Sequence, residues 1–186
     1  MAGAFLPPPA IAAGPVVLRH FTAHDAEAVR ALADDWEVAR TTAALPHPYL
    51  PGMAESWIAG HEAARRDRGE HSYAIVRADD GVLVGSFGLR PAANDNGHFG
   101  YWVGRPHWGH GYATAATRAA IALLFAPGGL DLVWAVHLAH NESSARVMDK
   151  CGLAVLRSEI HDHRGTPQPM LVRGVTRAQW EARPAP

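Results

Sequence analysis

Several things that would narrow a function quickly are scarce here. There is one cysteine, Cys151, in 186 residues, so no intrachain disulfide can form. Positive charge is not in excess: 17 Lys and Arg stand against 18 Asp and Glu, a formal net charge of −1. That balance supplies no bulk attraction to nucleic acid or to an anionic membrane, and neither is expected as a partner. No apolar run is long enough to span a bilayer. Residues 1–15, MAGAFLPPPAIAAGP, have no Lys or Arg and are broken by Pro7-Pro8-Pro9. They make a poor signal peptide and read as a flexible Pro/Ala-rich arm. A cytoplasmic protein is the expectation. There is no HExxH helix and no Cys/His pattern with zinc spacing. The twelve histidines therefore imply no metal, even where they pair, as His107/His110, His137/His140 and His161/His163 do. The last pair flanks Asp162 beside Arg164-Gly165 and reads as a solvated hairpin end.

What is present fits one domain over residues 16–183, long enough for a sizeable core. Patterning predicts strands at Val16–Phe21, His71–Ala78, Val82–Leu89, His98–Gly104, Leu132–Leu138, Leu153–Ile160 and Met170–Val175. Asp79-Asp80-Gly81 and Asn94-Asp95-Asn96-Gly97 read as hairpin turns. Helices are expected from Thr22-x-x-Asp25, at Trp36–Arg40, Ala54–Arg68, Gly111–Phe125 and after Asn141. The order is strand, helices, three antiparallel strands, helix, strand, helix, two strands, an α+β layout on one mixed sheet.

The most informative segment is Tyr101–Leu123, YWVGRPHWGHGYATAATRAAIAL. A strand runs into the glycine turn Trp108-Gly109-His110-Gly111, and a long Ala-rich helix follows. Glycines let backbone approach an anion, and the first helical N–H groups lack internal partners and sit at the positive end of the dipole. A nucleoside-triphosphate loop would need Lys then Ser or Thr, but the helix opens Tyr112-Ala113-Thr114. A dinucleotide fold would need a third glycine at Thr114. The residues alone leave two options: a pyrophosphate held by backbone amides, or a turn that only joins strand to helix.

Trp108-Gly109-His110-Gly111-Tyr112-Ala113 resembles the acetyl-coenzyme A loop of the GNAT acetyltransferase superfamily, whose pattern is Gln/Arg-x-x-Gly-x-Gly/Ala. Trp in the first slot departs from the general pattern and is similar to the branch of RimJ/RimL-type ribosomal-protein N-terminal acetyltransferases. A second segment, Asn141-Glu-Ser-Ser144 through Lys150-Cys-Gly152-Leu153, resembles the family's Asn-x-x-Ser … Lys-x-Gly-Phe element. In local terms Asn141 is a good N-cap, Ser144 stands at N3, and Gly152 suits a left-handed helix end. Val17-Leu18-Arg19, Leu45–Tyr49 and Thr176–Trp180 match further family segments, so the resemblance covers residues 16 to 182 or so. It implies a GNAT-like single domain with a mixed, mostly antiparallel sheet of about seven strands and helices on both faces.

The resemblance also implies chemistry. Residues 98–104 and 132–138 would be parallel neighbours that splay apart around acetyl-CoA as co-substrate. The cofactor-binding set is then Trp102, Val103, Trp108, Gly109, His110, Gly111, Tyr112, Ala113, Thr114, Asn141 and Ser144. A backbone N–H near Trp102 or Val103 would serve as oxyanion donor. An attacking amine must first lose a proton. His98 stands where relatives often carry Glu, and His140 is a second candidate base. Ser144 matches the family residue assigned to the leaving thiolate. Cys151, on an apolar helix face, reads as a buried thiol. The acceptor would be a protein N-terminus, an amino acid or a small amine, bound by Trp36, His47, Tyr49 and Trp57. Carboxylates are scarce over residues 36–61, which disfavours polyamines. The departures at Trp108 and His98 keep a second class open, a catalytically weak acetyl-CoA-binding regulatory domain. Monomer and homodimer are both compatible with the sequence.

Overall fold

The structure is a computed structural model describing residues 7–43, 45–92, 96–126 and 129–183. Eight strands form one sheet in the order β1-β2-β3-β4-β5-β6-β8-β7. They are β1 (Ala10–Ala13), β2 (Val16–His20), β3 (His71–Arg77), β4 (Leu83–Ala92), β5 (Asn96–Val103), β6 (Leu132–Leu138), β7 (Ala154–His163) and β8 (Thr166–Thr176). Every neighbouring pair is antiparallel except β5 and β6. The strand beyond the seven expected is β1. It lies inside the segment read as a flexible arm, which this pairing corrects for residues 10–13. Ile11 and Ala13 are buried against the core while their backbone pairs with β2. Apolar alternation outweighs the preceding prolines once a partner strand is available.

The helices are α1 (Ala26–Ala33), α2 (Trp36–Ala39), α3 (Met53–Ala59), α4 (His61–Arg68), α5 (Tyr112–Leu124), α6 (Glu142–Lys150) and α7 (Arg177–Glu181). Thr22 and Asp25 form the expected capping box, leading into α1 through a short 3-10 turn. The Asp25 carboxylate also takes a two-pronged pair from Arg19 at 2.7 and 2.8 Å. The helix expected over Ala54–Arg68 is divided at Gly60, a poor helix former, into α3 and α4. The hairpin of β7 and β8 is longer than its apolar run suggested. Its turn is two residues, Arg164 and Gly165, both at positive φ as a tight hairpin turn requires. Of the hairpin turn expected at Asn94–Gly97, residues 94 and 95 lie outside the described residues, and Asn96 and Gly97 open β5.

Two apolar layers sandwich the sheet. On one face Phe87, Phe99, Val133 and Ala135 pack against α5 and α6 through Ala116, Ala120, Ile121, Met148 and Cys151. On the other, Ala74, Val76 and Leu83 meet α1 and α3 through Val29, Ala33 and Ala54. Strand alternation assigns β5 side chains to the two layers: Phe99, Tyr101 and Val103 to the α5/α6 face, Trp102 to the α1/α3 face. His98, in step with Trp102, belongs to the α1/α3 face.

Candidate active site

The parallel pair β5/β6 is bonded over three residue pairs only, Asn96↔Leu132, Gly97↔Val133 and His98↔Trp134. Beyond them β5 stays with β4 as far as Gly85↔Val103, and β6 stays with β8 as far as Leu138↔Met170. The sheet opens into a V, and a cleft of about 1610 Å³ runs through it. Strand alternation fixes which backbone groups face the gap. Gly104 N–H donates to the Val84 carbonyl at 2.8 Å, on the β4 side. Trp102, two residues earlier, turns its N–H the same way, so Val103 and Tyr101 point theirs toward the V. Of the two backbone donors expected, Val103 therefore fits and Trp102 does not, although the Trp102 side chain lines the cleft.

A glycine loop closes one end. Gly109 and Gly111 have φ of 81° and 78°, and a Cβ on either would meet open space. The left-handed backbone is what selects glycine at both positions. Gly111 is the N-cap of α5, no side chain caps that helix, and its first turn carries no acidic residue. The free N–H groups at Tyr112, Ala113 and Thr114 thus face the cleft end without a competing anion. Trp108 has a visible role: its Nε1–H donates to the Val103 carbonyl at 2.6 Å, tying the loop to the strand that lines the V. His110 does not line the cleft. Its Nδ1 lies 2.9 Å from the Trp108 carbonyl and its ring stacks on Tyr112.

The α6 wall is set by its first turn. Asn141 Oδ1 accepts the Ser144 N–H at 3.0 Å, the expected cap. The Ser144 hydroxyl lies 3.0 Å from that of Tyr101 across the V. Tyr101 was not singled out by sequence reasoning. Its place in the Tyr-Trp run, two residues from an alternating core position, was the available signal. Burial pushes its hydroxyl far above the ordinary tyrosine range. Cys151 is fully buried and its thiol is pushed up to about 11, chiefly by burial, which suits a packing residue.

On the opposite face His98 packs on Trp134 with ring centroids 4.5 Å apart. Burial, then the nearby Arg90 charge, hold its pKa below the usual histidine value. Both effects favour the neutral imidazole, the form that can accept a proton. His140 is exposed at the cleft rim. Tyr49 and Trp57 line this side, whereas Trp36 and His47 do not. Those two rings pack on each other at 5.4 Å, and the Arg164 guanidinium sits 5.3 Å over the Trp36 ring. Arg164 also donates to the carbonyls of Ala39 and Leu45 at 2.8 and 2.6 Å. The tip of the β7/β8 hairpin thereby clamps the segment after α2, a contact over more than a hundred residues that no local pattern announces. Carboxylates reach the cleft from outside residues 36–61, as Glu70 and Glu159. Both are held below the usual carboxylate range by arginine partners, Arg68 and Arg157. Among the described residues no group of three or more His, Cys, Asp or Glu is arranged to hold a metal ion, and no helix is long and apolar enough to cross a membrane.

Comparison with known proteins agrees with this geometry. Residues 16–154 match the family model described as the acetyltransferase (GNAT) domain. The N-acetyltransferase YoaA of Bacillus subtilis (strain 168) is 29% identical over 157 residues, covering 82% of this chain and 88% of that protein. Among solved structures, RimJ of Mycobacterium smegmatis in complex with CoA-disulfide superposes with a TM-score of 0.77 at 24% identity, covering 91% of this chain and 86% of that one. The microcin C7 self-immunity acetyltransferase MccE in complex with acetyl-CoA and AMP gives 0.81 at 17% identity, covering 92% and 98%.

Proposed function

Because the chain belongs to the GNAT acetyltransferase family and is an acyltransferase, we propose that it moves an acetyl group from acetyl-CoA directly to a primary amine. The acceptor is a protein N-terminus, an amino acid or a small amine, and the domain doing this work spans residues 16–183. The observation that carries the proposal is the V between β5 and β6, which joins the two faces of the sheet at one point. The glycine loop, the α5 N-terminus and Ser144 border it on one face; His98, Tyr49 and Trp57 border it on the other.

The residues fit the acyl donor. Uncapped N–H groups and two left-handed glycines suit a pyrophosphate, and the Val103 N–H, pointing into the V, suits the acetyl carbonyl. When bound, acetyl-CoA supplies an activated thioester. His98 takes a proton from the amine, Val103 N–H stabilises the oxyanion, and Ser144 faces the departing sulfur. Holding both reactants in one cleft removes the entropy cost of their encounter. Trp108 replaces the family's usual Gln or Arg yet holds the loop by its own hydrogen bond, so this departure does not count against acetyl-CoA binding. A cytoplasmic location accompanies this proposal.

The test is thiol release from acetyl-CoA in the presence of a panel of amines: free amino acids, short peptides with free N-termini, and small alkyl and aromatic amines. Amine-dependent release is expected for at least one class. Tight CoA binding with no release on any amine would replace the enzyme with the regulatory domain.

A further inference from the structure

Ser144 is held at both ends. Its N–H is fixed by Asn141 Oδ1 and its Oγ lies 3.0 Å from the Tyr101 hydroxyl. Tyr101 projects from β5 into the α5/α6 layer, and among the described residues Ser144 is the hydrogen-bond partner of its hydroxyl. Both hydroxyls border the cleft, so the direction of that bond follows from their chemistry. A phenolic O–H is the more acidic donor and its ring-conjugated oxygen the weaker acceptor, so Tyr101 donates and Ser144 accepts. The serine proton is then left to turn into the cleft.

We propose that Tyr101 is a positioning residue for Ser144: by donating to Ser144 Oγ it forces the serine proton toward the departing sulfur. This rests on the acetyl transfer proposed above. In that step the N–C bond forms and the C–S bond breaks, with its electron pair left on sulfur. The amine proton passes to His98. Ser144 gives the thiolate a hydrogen bond and Tyr101 supports the polarised serine oxygen. Tyr101 keeps its own proton throughout, since a phenolate is strongly disfavoured in so buried a place. The thiolate takes its proton from solvent on release. Tyr101 also lines the cleft, but in this scheme it acts on the reaction through Ser144.

The decisive experiment is a double-mutant cycle on the full chain, using Tyr101→Phe, Ser144→Ala and the pair, with acetyl-CoA and the best amine of the panel. Tyr101→Phe is expected to lower kcat about tenfold, the scale of one well-placed hydrogen bond, with the KM for acetyl-CoA and the Kd for CoA unchanged. The double variant should match Ser144→Ala, because Tyr101 has no route to the reaction except through that serine. A packing role would instead multiply the two losses and shift the thermal midpoint. Multiplied losses, or a Tyr101→Phe kcat equal to the parent's, overturn the inference while leaving the acetyltransferase intact. A parent silent on every amine overturns the proposed function itself, and this inference with it. Should Tyr101→Phe fail to fold, Tyr101→Trp and Tyr101→Leu take its place in the same cycle, with the same two outcomes.

Discussion

The indole N–H of Trp108 donates to the carbonyl of Val103 at 2.6 Å, so the glycine loop is fastened to the residue whose own N–H faces the cleft. Trp108→Phe keeps the ring and removes the bond. A freed loop must be ordered at the moment of binding, which costs affinity. CoA should bind roughly fivefold to tenfold more weakly, the scale of one net hydrogen bond, with little change in melting temperature. Calorimetric titration with CoA measures this. Unchanged affinity would mean the loop is held by other contacts.

Gly111 provides a sharper test of the loop. Its left-handed backbone penalises any side chain by about 1–2 kcal/mol, while the surrounding space is open in the protein alone. Gly111→Val should therefore lose stability modestly and CoA binding severely. Gly165, at φ 79° in the β7–β8 turn and equally unobstructed, is the control. Gly165→Val should show a similar drop in stability with CoA affinity intact. Equal CoA affinity in both variants would detach the loop from phosphate binding.

Asn141 has a capping role in the structure and a proposed ligand role. Asn141→Ala should cost about 1 kcal/mol of stability, read from denaturant unfolding. Asn141→Ser restores a cap and should recover most of that loss. If the amide also contacts the cofactor, CoA affinity stays low in the serine variant. Recovery of both properties together would make Asn141 a cap alone.

Much of this arrangement was legible before the fold was known, and the reasons differ by element. The glycine loop, the Asn141 cap and Cys151 as a packing thiol follow from short-range patterns: turn chemistry, capping and helical spacing. The parallel β5/β6 pair followed from the family resemblance and from no local pattern. What escaped depends on contacts distant in sequence. Pairing with β2 turned residues 10–13 of the supposed arm into β1. Arg164 reached across from the far hairpin to Trp36, drawing that ring and His47 away from the cleft lining. Tyr101 and Ser144, 43 residues apart, meet only because the sheet opens between β5 and β6. A sequence displays its caps and turns; it does not display which surfaces a later hairpin will cover.

A pH effect on stability follows from buried histidines that the proposed chemistry does not use. His61 packs on Trp57 and Phe21 with both ring nitrogens buried and unpartnered, and burial lowers its pKa to about 4. His20 and His71 are lowered by burial as well. The unfolded chain takes up these protons near ~6.5, before the folded one does. Stability is therefore complete above that pH and declines as pH falls toward 4. The melting temperature should drop between pH 7 and pH 5, and His61→Phe should flatten part of that slope. Identical pH profiles for parent and variant would exclude His61 as a contributor.

His98 carries the acid–base side. Its lowered pKa predicts that kcat/KM rises with pH through a value below the ordinary histidine range. His98→Ala should abolish that limb and slow turnover, leaving CoA affinity near the parent's. A variant that kept the parental rate and profile would pass the role to His140 or to solvent.

Direct transfer is the central claim, and intact-mass spectrometry of a single-turnover mixture addresses it most directly. The protein, acetyl-CoA and the best amine of the panel are mixed and quenched over time. The expected result is an amine heavier by one acetyl group, appearing in step with free CoA, while the mass of the protein never changes. An acetylated protein that forms and decays ahead of the product, or CoA release with no acetylated amine, would contradict it.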